Sequence, residues 1–115
     1  MNMCSYELVP VVGPQELREL ADTLKLLGDE SRLRVVLSCL HESKSVGEIA
    51  LAAGLSGTLV SHHLRILRAR RFVRAERRGK HVFYISSDDH VRCIIEDLVR
   101  HVVEARPPAT AERVV

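Results

Sequence analysis

Two residue pairs near the C-terminal end of this 115-residue sequence have the makings of a metal site. They are Asp88-x-His90 and, after ten intervening residues, His101-x-x-Glu104. Imidazole nitrogens and carboxylate oxygens suit a borderline divalent ion. Both pairs fall on one amphipathic segment, which the periodicity predicts to be a helix from about Asp89 to Ala105. On a helix each residue turns about 100° and rises about 1.5 Å, so His90 and His101 share a face to within about 20° but stand about 16 Å apart. Bonds from zinc to imidazole are about 2.0–2.1 Å, so one helix cannot bring both pairs to one ion. Two copies running antiparallel across a two-fold axis can. Asp88 and His90 of one copy then face His101 and Glu104 of the other, giving four ligands per site and two equivalent sites per homodimer. Ile94, Ile95, Leu98 and Val102 form an apolar stripe suited to that interface, with His90, Asp97, His101 and Glu104 along its border. Taken singly, each ligand has a plainer reading, Asp88 as a helix N-cap and the others as surface residues. Taken together, the four have spacings that close on one ion only in a dimer.

A second constellation lies upstream. Eight basic residues (Arg65, Arg68, Arg70, Arg71, Arg74, Arg77, Arg78, Lys80) and one acid, Glu76, put a charge of +7 between positions 65 and 80 of a chain whose net charge is +2. The rest therefore carries −5, and such concentration suggests a polyanionic partner rather than a generally basic surface. Just before it, a short helix capped by Ser45, a tight turn at Ala53-Gly54-Leu55-Ser56, and a helix from about Thr58 to Arg71 form a helix-turn-helix pattern. Leu59, Val60, Leu64 and Leu67 occupy the inner face of that helix, which leaves Thr58, Ser61, His62 and Arg65 outward, where a helix lying in the major groove reaches base edges. Two β-prone runs follow, Phe72–Glu76 and His81–Ile85, joined by Arg77-Arg78-Gly79-Lys80. This basic hairpin is expected to lie along the DNA backbone as a wing, with Arg77, Arg78 and Lys80 placed for phosphates.

These elements need a scaffold, and composition says what kind. Hydrophobic residues at 46% and charged residues at 28% are globular values, while aromatics at 3% with no Trp require a core of Leu, Val, Ile and Ala. The length suits one domain, too small for a large multidomain enzyme. Gly13-Pro14 opens a first helix with Leu17, Leu20, Leu24 and Leu27 at helical spacing and Gly28 as its stop; Asp29 or Ser31 caps a second helix through Leu33, Val36, Leu37 and Leu40. The expected organisation is a flexible arm at 1–13, a mainly α domain with a β-hairpin at 14–105, and a disordered tail at 106–115 after Pro107-Pro108. No apolar run approaches the roughly 20 residues of a membrane span, and residues 1–10 lack a signal-peptide pattern. Cys4, Cys39 and Cys93 are scattered, without CxxC spacing. A reduced, cytoplasmic protein is the expectation.

Three segments together resemble the ArsR/SmtB family of metal-sensing repressors: Leu26-Leu27-Gly28-Asp29-Glu30-Ser31-Arg32-Leu33-Arg34, then Leu55-Ser56-Gly57-Thr58-Leu59-Val60-Ser61-His62-His63-Leu64-Arg65-Ile66-Leu67, then Arg78-Gly79-Lys80-His81-Val82-Phe83-Tyr84. The resemblance runs from about Gln15 to Glu104. It implies a dimeric winged helix-turn-helix protein that binds an imperfect palindrome and leaves it when metal binds. Thr58, Ser61 and His62 match the family's base-contacting positions, whereas Gly57 stands where many relatives carry a polar side chain. The Asp88, His90, His101, Glu104 spacing matches the family's C-terminal helix site, which is associated with zinc. The family's cysteine site in the third helix has no counterpart, because Ser45-Val46-Gly47-Glu48-Ile49 contains none. Some relatives sense nickel or cobalt with histidines from terminal extensions, and no His follows Glu104. The implied ligand is therefore Zn2+, with Co2+ or Ni2+ as alternatives, and a metal-independent regulator of the same fold is the rival. A small zinc hydrolase is disfavoured: four protein ligands close the metal, and there is no HExxH and no Gly-rich phosphate loop. Neither a membrane nor a small organic substrate is expected as a partner.

Overall fold

A computed structural model describes residues 10–105. The expected tail at 106–115, most of the expected arm at 1–13, and Cys4 lie outside the described residues. The element order is α1 (Pro14–Leu27), α2 (Glu30–Ser38), α3 (Val46–Ala53), α4 (Gly57–Ala69), β1 (Val73–Arg78), β2 (His81–Ser86) and α5 (Asp89–Glu104). Local chemistry sets the boundaries. Asp29 caps α2 by accepting the Arg32 N–H at 3.1 Å. At α3, Ser45 and Glu48 form a reciprocal capping box. Gly54 ends that helix in the left-handed region at φ 68°, which a Cβ disfavours. Ser56 accepts the Leu59 N–H, so α4 starts at Gly57, one residue earlier than the periodicity suggests.

The other end of α4 is tied off by a Schellman motif rather than running to Arg71. The Phe72 N–H donates to the Leu67 carbonyl at 2.8 Å and the Arg71 N–H to the Arg68 carbonyl at 3.0 Å. This places Arg71 at φ 65°, the only non-glycine residue with positive φ among those described. Glycine occupies such a position without the steric cost an L side chain incurs. Arg71→Gly is therefore expected to raise stability by about 0.5–1 kcal/mol, read as a higher urea midpoint at unchanged slope.

β1 and β2 pair antiparallel from Val73↔Ser86 to Arg78↔His81. The ladder is longer than the β-prone runs indicate. Arg77 and Arg78 belong to β1, and the turn is only Gly79-Lys80, with Gly79 at φ 63°. Lys44, ahead of α3, exchanges both backbone hydrogen bonds with Tyr84, which ties the wing to the helical body.

Helices α2, α3 and α4 enclose the core, built on Val35, Val36, Cys39, Ile49, Val60, Leu64 and Leu67 and closed by Phe72, Val73 and Ile95. Cys39 is core, as its apolar neighbourhood suggests; burial pushes its thiol up to about 11. The structure corrects the reading of α5. Ile95, expected on the interface stripe, is only 2% exposed inside its own subunit, and Cys93 is also buried there. The unpartnered face carries Ile94, Leu98, Val99, Val102 and Val103, and Leu17, Leu20 and Leu24 of α1 are likewise exposed. Between α1 and α5 lies an apolar cleft lined by Leu24, Leu33, Leu37, Leu98 and Val102.

Candidate nucleic-acid interface and metal centre

Helix α4 turns Val60, Leu64 and Leu67 into the core, and this fixes which residues face out. Thr58, Ser61, His62 and Arg65 are all exposed on that outer face. The fold adds two residues to them. Arg68, one turn beyond Arg65, and Tyr84 of β2 line a groove with Ser61, Arg65 and Ala69. Its volume is about 590 Å³. The spacing of Arg65 and Arg68 within the basic run signals a shared face. Tyr84 carries no such signal, since only the pairing of the wing brings it beside α4.

The wing does not present its three cations alike. Arg77 and Lys80 are exposed. The Arg78 guanidinium donates to Glu76 Oε1 at 3.1 Å and to Ser43 Oγ at 3.0 Å, and it stacks 5.0 Å from the centre of the Phe83 ring. Arg74 donates to the other Glu76 oxygen at 3.0 Å. The hydrogen bond from Arg74, reinforced by that from Arg78, holds the Glu76 carboxyl below the usual carboxylate range. Alternation along β1 places Arg74, Glu76 and Arg78 on one face and Arg77 on the other, and this explains the split.

One polar residue of α4 points inward. His63 is 3% exposed. Its Nδ1 accepts from Arg32 Nε at 3.3 Å and its Nε2 lies 2.9 Å from Ser31 Oγ. Ser31 Oγ in turn donates to Asp29 Oδ1 at 2.7 Å, and Arg32 Nη1 donates to the Leu26 carbonyl at 2.9 Å. Burial, then the charge of Arg32, lowers the His63 pKa below the ordinary imidazole value. The Asp29 carboxyl is also held low, first by the Ser31 hydroxyl and then by the Arg32 N–H. The wheel position of His63, between Val60 and Leu67, is the one sequence signal for this cluster.

The four candidate metal ligands are exposed at the two ends of the 16-residue α5. Asp88 is the N-cap, with Oδ1 accepting the Val91 N–H at 2.8 Å, a role that occupies one carboxylate oxygen. At the far end, Arg100 Nε lies 3.8 Å from Glu104 Oε2, and Arg100 Nη1 donates to Asp97 Oδ1 at 3.3 Å. Asp97 thus belongs to a surface pair on its own helix. Among the described residues, no group of three or more His, Cys, Asp or Glu side chains of one subunit could hold an ion. This agrees with the length of the helix, which keeps the two pairs apart. A hydrogen bond from the Ser87 hydroxyl to the Arg71 carbonyl joins the residue before Asp88 to the end of α4.

Residues 29–75 match a family profile described as bacterial regulatory protein, arsR family. The chain is 33% identical over 95 residues to a transcriptional repressor SmtB homolog from Synechocystis, an alignment covering 83% of this chain and 72% of that relative. The crystal structure of NolR from Sinorhizobium fredii superposes with a TM-score of 0.68 at 30% identity, over 85% of this chain and 100% of that one. The homodimeric winged helix-turn-helix DNA-binding domain of Mb0332 from Mycobacterium bovis superposes with a TM-score of 0.67 at 27% identity, over 76% and 81%. Such relatives are transcriptional regulators rather than enzymes. With its helix-turn-helix, its basic two-stranded wing and these likenesses, the chain belongs to the ArsR family of winged helix-turn-helix bacterial regulatory proteins.

Proposed function

We propose that the protein is a metal-responsive repressor that binds a palindromic operator as a homodimer and is released when a divalent ion, zinc first among candidates, binds between subunits. The observation that carries the metal assignment is the layout of α5: two exposed nitrogen–oxygen donor pairs, one at each end, beside an unpartnered apolar strip. This donor set fits the ion. It has imidazole and carboxylate ligands only, and it becomes complete when two α5 helices lie antiparallel on their apolar strips. Asp88 and His90 of one protomer would then join His101 and Glu104 of the partner subunit. A divalent ion held there would crosslink the two helices. The SmtB homolog's designation as a repressor and the homodimeric state of the Mb0332 domain support the reading.

On the DNA side, Thr58, Ser61, His62 and Arg65 read the major groove, while Arg77, Lys80 and Arg68 meet phosphates. Arg78 contacts a phosphate by giving up its Ser43 and Glu76 partners. Two recognition helices bind together only when their separation matches successive major grooves, about 34–36 Å. Within each subunit, Ser87, the residue before the Asp88 cap, is tied to the end of α4 through the Arg71 carbonyl, so a reorientation of α5 would be felt at the recognition helix.

Coupling between two sites is reciprocal. Operator DNA is therefore expected to weaken zinc binding by the same factor by which zinc weakens operator binding, about 5–150-fold for a typical coupling. The test is an anisotropy titration on a duplex from immediately upstream of the protein's own coding sequence, with zinc, cobalt, nickel and cadmium in turn. Zinc affinities that are equal with and without DNA would sink the coupling. Release by nickel or cobalt alone would favour the sensor of those ions, and release by none of the metals would favour a metal-independent regulator.

A further inference from the structure

We propose that His63 is a positioning residue for operator recognition: in its neutral form it locks α4 to α1 and α2, and protonation unlocks it. The hydrogen-bond directions define the ring's state. Arg32 Nε carries a hydrogen and has nothing to accept with, so His63 Nδ1 must be the acceptor. The ring proton therefore sits on Nε2 and is donated to Ser31 Oγ. The Ser31 hydroxyl, already accepting from the ring, donates its own proton to Asp29 Oδ1. Every donor in this chain meets one acceptor, and the direction runs from Arg32 through His63 and Ser31 to Asp29, the N-cap of α2.

The network reaches three helices. Arg32 holds the Leu26 carbonyl in α1 with one guanidinium nitrogen and His63 in α4 with another. His63 directly follows His62, which faces outward with Thr58, Ser61 and Arg65. The rotation of α4, and so the aim of those four side chains, is set in part by one buried ring. The charged groups facing that ring are Arg32 and Asp29 from the start of α2 and His62 on its own helix. A proton added at Nδ1 would point at the Arg32 N–H and place two cations in contact where one hydrogen bond stood. Asp29 lies beyond Ser31 and cannot compensate on the Nδ1 side.

The sign of the effect follows. Because the folded protein disfavours the charged ring, the unfolded or unlocked state binds the proton more readily. The lock is complete above the ordinary imidazole value of about 6.5 and is lost as pH falls below it. General electrostatics push the other way: acidification raises net positive charge, which strengthens DNA binding. A fall in affinity at low pH thus reports the lock.

This inference rests on the DNA-binding reading above, and the experiment separates the two. The full chain is titrated without metal, in EDTA, against the labelled upstream duplex from pH 8 to pH 5.5. Wild type is expected to lose up to about tenfold in affinity, the scale set by exchanging one hydrogen bond for a repulsive contact. His63→Gln keeps a donor and an acceptor but cannot be charged. It is expected to bind more weakly than wild type at pH 8 and to show no further loss on acidification. Equal losses in both proteins, or none in wild type, overturn the proposal. Absence of specific binding by wild type at pH 8 instead overturns the repressor reading. A measurement on wild type alone guards against misfolding of the variant. Long-range 1H–15N correlation should show the His63 ring as the Nε2–H tautomer, still mostly neutral at the ordinary imidazole midpoint of about 6.5. An Nδ1–H tautomer, or a ring already half charged at that pH, overturns the lock.

Discussion

His101→Ala yields a protein that binds its operator without metal and keeps it bound when zinc is added. His101 is exposed in the last turn of α5 and is not part of the buried core, so its removal should change folding stability by no more than about 0.5 kcal/mol. In the proposed dimer its loss would leave three donors at each of the two symmetric sites. Losing an outer partner of a metal ligand already costs about 10–100-fold in affinity, and losing the ligand itself should cost more than about 100-fold. Isothermal titration with zinc in a competing chelator checks the affinity, and anisotropy with the operator checks the response. A variant that still dissociates from DNA at wild-type zinc concentrations would place the site elsewhere on the molecule.

Leu98→Glu is expected to separate the dimer and with it nearly all operator binding. Leu98 is 47% exposed in the isolated subunit, at the centre of the α5 strip that also carries Ile94 and Val102. In the antiparallel pairing proposed above, position 98 lies opposite the Ile94 turn of the partner subunit, so a carboxylate there is buried without a partner at two symmetric places. Two linked half-site contacts gain about 10²–10⁴-fold over one through effective concentration, and a monomer forfeits that gain. Light scattering should report a monomer with wild-type helix content, and the gel shift should weaken by at least about 100-fold. Survival of the dimer would shift the interface away from α5, for instance to the Leu17 and Leu20 face of α1.

Both outcomes bear on how much of this molecule its residues announce. The helices are legible because a core of small aliphatic side chains forces a strict spacing: Val60, Leu64 and Leu67 mark the inner face of α4 without any structure. Their starts are legible because Asp29, Ser45, Ser56 and Asp88 satisfy orphan N–H groups at short range. The end of α4 is not. A Schellman turn with arginine at its left-handed position breaks the local preference for glycine, and the hydrogen bonds of Phe72 and Ser87 hold it there.

Charge and donor type are equally legible, and they mark the wing, the outward face of α4 and the α5 donor pairs as candidates, because composition and helical angle depend on nothing beyond nearest neighbours. Which group meets which partner depends on chain segments far apart, and only the tertiary structure decided it. It took Ile95 from the supposed interface into the core. It gave Arg78 to Ser43, 35 residues away. It also closed His63 against Arg32 and Ser31, more than 30 residues upstream. Periodicity can say that a side chain faces inward; contact at such separations is set by how whole helices pack, and no local pattern encodes it.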